Sequence, residues 1–135
     1  MVKRMSSIKT PLSIALRLFL RGGREVKKNL RNKILAKYKS HCAYCGIHIE
    51  YEDMQVDHIK AQALGGYDDM DNYNPSCRSC NATKSTYTVE KFRTRLIQDV
   101  SRMRRDSSKF RILERFGIIG QQKTELKFYF EREEV

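Results

Sequence analysis

The sequence predicts an α+β protein in which a small, turn-rich core sits between flanking α-helices and the chain closes with a C-terminal strand. Three observations predict it. All four cysteines, all three histidines and most of the Asn and Asp fall within residues 41–87. The segments on either side place apolar residues at helical spacing. Near the end, Leu126, Phe128 and Phe130 alternate with Lys127, Tyr129 and Glu131, the period of a strand with its apolar face inward. The chain therefore divides into a basic N-terminal arm and amphipathic helix (1–40), a core (41–87), and C-terminal helices with a closing strand (88–135).

Residues 1–10 carry Lys3, Arg4 and Lys9 with no periodicity and read as an arm; Pro11 opens an apolar stretch that Gly22-Gly23 closes. That stretch, Leu12 to Leu20, is broken by Arg17 and falls short of the ~20 residues that cross a bilayer, so no membrane span is expected. It is followed by Arg21-Gly22-Gly23-Arg24 without a small-residue cleavage pattern, which predicts a cytosolic rather than a secreted chain. From Arg24 to Lys39, Val26, Leu30, Ile34 and Tyr38 recur every four residues, the mark of an amphipathic helix. Its other positions are almost wholly cationic.

Within the core, Met54 to Ile59 alternates like a short strand, Gly65-Gly66 marks a turn, and Cys77 to Lys84 has few breakers and starts a short helix. Thr88 is placed to cap a further helix whose stripe is Val89, Phe92, Leu96, Val100 and Met103. Ser107-Ser108 interrupts it, and a last helix around Phe110, Leu113 and Phe116 ends at Gly117.

With 135 residues, 40% hydrophobic and 32% charged, the chain can bury only a small core beneath a highly ionised surface. A large multidomain enzyme is not expected from this length. The net charge of +11 divides as +11 over residues 1–40, −5 over 41–90 and +5 over 91–135. Two basic flanks around an acidic centre suit a polyanion gripped from both sides, with carboxylates kept back for something such as a metal.

Cys42-x-x-Cys45 and Cys77-x-x-Cys80 are two matched knuckles. Each spacing lets two thiolates face one ion, and together they complete the closed four-cysteine shell of a structural zinc site. A cytosolic chain argues against disulfides, and a redox dithiol needs only one pair. Four ligands leave no open position for water, so this zinc is expected to hold the fold rather than to catalyse. His41 and His48, beside the first knuckle, are expected at the surface. The 31 residues between the knuckles exceed the ~15–20 of a plain zinc ribbon, so something is built inside the loop.

Inside it lie Asp57-His58 and Asn72, with Asn81 directly after the last cysteine. This order resembles the zinc-bound form of the HNH endonucleases, through Cys42, Cys45, Asp57, His58, Gly65, Gly66, Asp71, Asn72, Cys77, Cys80, Asn81 and Lys84, over roughly residues 36–95. Asn81 stands where the family name implies a histidine. The resemblance implies a ββα-metal fold, with a hairpin carrying Asp-His, a loop, and a helix carrying the last ligand. It also implies a DNA substrate and a phage, mobile-element or restriction setting.

The chemistry of the residues agrees with that function. Cutting a phosphodiester needs a base for water, a hard cation and help for the leaving oxygen. His58 suits the base, since imidazole is the side chain that titrates near neutral pH. Asp57 and Asn81 offer oxygen ligands fit for magnesium or manganese. Neighbours on a strand face opposite ways, so the strand is expected to distort or end at Asp57-His58. By the resemblance Asn72 holds the loop and orients His58, and Lys84 reaches a phosphate beside the metal. Arg24, Lys27, Lys28, Arg31 and Lys37 are expected to contact DNA phosphates, and Asp68, Asp69 and Asp71 to form an ordinary polar loop.

Two other functions compete. His48-x-Glu50 with Pro75-x-Cys77-x-x-Cys80 approaches the zinc deaminase pattern, but Ser76 separates the proline from the cysteine, and Cys42, Cys45 and Asp57-His58 have no place in it. A non-catalytic zinc module that only binds DNA accounts equally for the basic flanks, but not for Asp57, His58 and Asn81 together.

Overall fold

The structure is a computed structural model that describes residues 27–120 and 125–132. The arm, the apolar stretch at 12–20 and Arg24 lie outside the described residues.

The first element, α1, is helical through residues 27–36. It buries Ile34 and gives way to a tight turn in which Lys39 and Ser40 both take positive φ, three residues short of the predicted end. The first cysteine knuckle follows. The chain then forms β1 (Gln55–His58), a loop with two 3-10 turns, β2 (Tyr73–Ser76) and α2 (Arg78–Lys84). The strands pair antiparallel, with Asp57 opposite Asn74 and His58 opposite Tyr73. The loop thus lies between the two strands, and the helix follows β2 directly.

Gly66 is what lets the loop fold back at its base. Its N–H donates to the Ala61 carbonyl at 3.0 Å. A side chain there would place its Cβ 1.8 Å from the Lys60 carbonyl oxygen. Gly65 before it takes a left-handed φ of 80°, so the predicted turn needs both glycines.

Thr88 caps α3 (Val89–Asp106) by accepting from the Lys91 N–H, and Ser107 caps α4 (Ser108–Arg115) by accepting from the Phe110 N–H. Gly117, with φ of 68°, closes α4 as predicted. Only the first part of the α3 stripe faces the core: Phe92 is 1% exposed, whereas Met103 is 54% exposed.

The predicted C-terminal strand is not formed. Residues 126–128 are extended without a strand partner, and Tyr129–Glu131 make a 3-10 turn. Instead of pairing with a sheet, the segment docks on the first knuckle, where the Tyr129 N–H donates to the Tyr44 carbonyl and the Phe130 N–H to the Ala43 carbonyl. The alternation still served its purpose, because it points Phe128 inward to 3% exposure.

The core gathers at this junction. Tyr44 meets Phe92 and Phe128 edge-on at 5.5 and 5.4 Å, and Phe92 stacks on Phe128 at 5.3 Å. Arg93 covers the outer face of Phe128 at 4.6 Å while its guanidinium binds Glu131 and the Leu126 carbonyl. Deleting so buried a ring costs about 3–5 kcal/mol. Phe92→Ala is therefore expected to lower the unfolding free energy of the metal-loaded protein, read by chemical denaturation, by that amount, whereas Met103→Ala should change it by less than about 0.5 kcal/mol.

Candidate active site and metal cluster

The four cysteine sulfurs lie within 4.8 Å of one another, as the two knuckles require. Thiolates about 2.3 Å from a tetrahedral zinc are about 3.8 Å apart. Cys45 Sγ and Cys77 Sγ are 3.8 Å apart, so the donor set has the size and chemistry of a zinc shell. Backbone N–H groups already stabilise negative sulfur: that of Cys77 donates to Cys42 Sγ at 3.3 Å, and that of Cys80 to Cys77 Sγ at 3.4 Å. Hydrogen bonding from Cys80, aided by backbone donors, brings the Cys42 thiol down to about 4. Burial, with the charge of Cys42 adding to it, pushes Cys45 up to about 11. Donation to Cys42, then burial, raises Cys80 as well. One thiolate can stand alone in this cluster; four need a cation.

The two histidines beside the knuckle take no part. His41 stacks on Tyr129 and bonds to the Lys39 carbonyl, and His48 is exposed, 3.5 Å from Glu50. With all four cysteines in one cluster, the deaminase arrangement of one histidine and two cysteines is absent among the described residues.

Asp57, His58 and Asn81 line one open depression of about 520 Å³, together with Gln62 and Ser85. Strand β1 stops at His58, as the alternation argument required, and so both neighbours reach it. The Asn81 side-chain amide has no hydrogen bond among the described residues. His58 Nε2 lies 2.7 Å from Asp68 Oδ1, and its ring sits edge-on to Tyr73 at 5.1 Å. Asn72 pins the loop: its amide donates to the Lys60 and Tyr67 carbonyls at 3.0 and 2.8 Å and accepts from the Lys60 N–H at 2.9 Å. The Asn72 carbonyl also accepts from the Ile59 N–H, next to His58.

Lys84 departs from its predicted place. Its side chain is fully buried, with Nζ 3.0 and 3.2 Å from the two oxygens of Asp57 and donating to the His58 carbonyl at 2.8 Å. An ammonium so engaged is not available to a phosphate. The Tyr44 hydroxyl donates to the same Asp57 carboxylate, and burial together with that negative charge raises its pKa, so it stays a donor. Nothing in the local sequence marks Tyr44 for this task, because the contact spans thirteen positions. A carboxylate has roughly four lone-pair sites. Three are occupied here; Asp57 lines the same depression as the Asn81 amide, and their oxygens are of the kind a hard cation takes.

Two of the predicted phosphate contacts likewise have partners within the chain, although Lys37, just past the end of α1, stays exposed. Arg31 donates to the Tyr51 and Met54 carbonyls, and Lys37 donates to the Tyr73 carbonyl at 2.9 Å. Both tie α1 to the core, because backbone carbonyls at strand and turn ends need donors. Lys27 and Lys28 are exposed. Asp68, read as an ordinary loop acid, is a partner of His58; Asp69 instead accepts from the Asp71 N–H in the loop.

Residues 42–86, a third of the chain, match the family model described as HNH endonuclease. A similar solved structure is the Type II-C Cas9 enzyme from Actinomyces naeslundii, 22% identical with a TM-score of 0.48; the match covers 75% of this chain and 13% of that one. No curated protein matches the chain. Among the described residues no helix is long and apolar enough to cross a membrane.

Two outcomes follow from this arrangement. Purified protein should carry one zinc per chain, and chelation should abolish amide protection across β1, β2 and α2 while the flanking helices persist in part, as read by hydrogen exchange. Removing one partner of a buried ion pair costs about 3–5 kcal/mol. Lys84→Met should destabilise by that much in chemical denaturation, and adding Asp57→Asn should recover part of it.

Proposed function

We propose that this protein is a metal-dependent endonuclease that hydrolyses DNA phosphodiester bonds, with His58 as the general base. The observation that carries the reading is the meeting of Asp57, His58 and Asn81 at one depression beside a closed four-cysteine cluster. His58 would take a proton from the attacking water. Asn72 holds the loop that follows it, and Lys84 fixes its carbonyl, so the ring is presented by two anchored segments. Magnesium or manganese on Asp57 and Asn81 would neutralise the charge that develops on the phosphate. The four cysteines hold zinc as a structural ion, which fits an intracellular setting where thiols stay reduced. DNA is the polyanion in this reading because the chain carries +11, with the excess in its two flanks; Lys27 and Lys28, two of the exposed cations of α1, are the predicted contacts on that helix that remain for phosphate.

A second reading, a zinc module that binds DNA without cutting it, draws support from the near-complete commitment of Asp57 to Lys84 and Tyr44. Plasmid cleavage separates the two. Zinc-loaded wild type should cut supercoiled plasmid when magnesium is supplied. His58→Ala should lose about 10²–10⁴-fold in rate while keeping zinc and DNA affinity. Asn81→Ala should raise the magnesium concentration needed, and it probes the cation more cleanly than Asp57→Ala, which also strips Lys84 of its partner. A wild-type rate in His58→Ala would remove the base and the nuclease reading with it.

A further inference from the structure

The loop between β1 and β2 returns a carboxylate to the histidine. Asp68 Oδ1 is 2.7 Å from His58 Nε2, and the same oxygen accepts from Gln62 Nε2 at 2.9 Å. The Tyr73 ring packs edge-on against the imidazole at 5.1 Å, and its hydroxyl adds an electrostatic interaction with Asp68. Three side chains from three places, the 3-10 turn after β1, the end of β1 and the start of β2, therefore converge on one acid that is otherwise open to water. Hydrogen bonding, first from His58 and then from Tyr73, lowers the Asp68 pKa below the usual carboxylate range. An ionised carboxylate accepts hydrogen bonds and donates none. The nitrogen facing it must then carry the proton.

We infer that Asp68 is a positioning residue for His58: by accepting from Nε2–H it fixes the ring's orientation and its neutral tautomer, leaving the lone pair on Nδ1 to take the proton from water. Nδ1 has no hydrogen-bond partner among the described residues. The other tautomer would set a bare nitrogen lone pair against a carboxylate, and it would occupy Nδ1 with a proton, so the base would be blocked. Asn72 and Gly66 then acquire a purpose beyond closing a loop, since the fold-back they hold is what brings Asp68 to the ring. The role of Asp68 rests on the reading of His58 as a base, but the tautomer can be observed without any cleavage.

The test is nitrogen NMR on zinc-loaded, full-length protein with ¹⁵N-labelled histidine, the His58 signals being assigned by their loss in His58→Ala. In wild type, His58 should show a protonated Nε2 and an unprotonated Nδ1. Asp68 is exposed, so Asp68→Ala should fold and bind zinc as wild type does, while its His58 signals move to a mixture of tautomers. In plasmid cleavage the same variant should lose about 10- to 100-fold in kcat, the range found for groups that orient metal-bound histidines. KM should stay within about twofold, and Asp68→Glu should restore part of the rate. A wild-type His58 protonated on Nδ1, with cleavage intact, would overturn the role of Asp68 alone. So would an Asp68→Ala variant whose tautomer and kcat match wild type. A wild-type protein that holds the Nε2–H tautomer yet cuts nothing overturns the nuclease reading, and this role falls with it.

Discussion

Four sulfur atoms held within 4.8 Å are the constraint on which the rest of the structure depends. The segment between the knuckles buries few apolar side chains of its own, and its two-stranded sheet is too small to stand alone. The cluster supplies what the core lacks, and it transmits position in both directions. Cys77 is the N-cap of α2, so the sulfur geometry sets the helix that carries Asn81 one turn later. The Ala43 N–H donates to the Pro75 carbonyl, which ties the first knuckle to β2 and through β2 to Asp57 and His58. Metal, strand and helix therefore form one framework with the candidate site at its far side.

The electrostatics of that framework differ from the impression left by net charge. Lys84 and Arg31 turn inward, Lys37 folds back along the surface, and all three serve carbonyls or the buried carboxylate of Asp57, while Arg93, Arg104 and Arg105 pair with acids at the surface. A buried charge is tolerable only when its partners are all present. Lys84 satisfies this with Asp57 and the His58 carbonyl, which makes it a rivet between α2 and the end of β1. The acidic centre of the sequence is thus partly an internal counter-charge, and fewer cations than the composition implies are left to face a polyanion.

What the sequence made legible were the features set by local spacing. The knuckles, the Gly65-Gly66 turn, the Thr88 cap and the Gly117 stop all depend on residues within a few positions of one another, and each forms as read. The stop of β1 at His58 followed from the two-residue period alone. Contacts across the chain were not legible in this way. A lysine looks the same in sequence whether it meets a phosphate or a carbonyl 26 or 36 positions away, so Lys84 and Lys37 were misplaced. Strand β2 was hidden by Pro75, which is tolerated because the pair has no third strand among the described residues and its carbonyl still accepts from Ala43. Residues 126–130 carry the pattern of a strand but pair with neither edge of the two-stranded sheet, and they settle against the first knuckle instead. Asp68 gave no signal beyond its acidity, because its partner lies across a loop whose path depends on Asn72.

The docking of the C-terminal segment also bears on the order in which the molecule can assemble. Phe128 fills the space between Tyr44 and Phe92, and its neighbours bond to the carbonyls of Ala43 and Tyr44, more than eighty positions earlier in the chain. Contacts of such separation form late, since the loop they close is long. During synthesis the metal cluster can close once Cys80 has emerged, but Tyr44 and Phe92 then present an uncovered aromatic face until the last stretch arrives. Metal capture and completion of the core are thus separate events in time, and the interval between them is when this small protein is most exposed to aggregation.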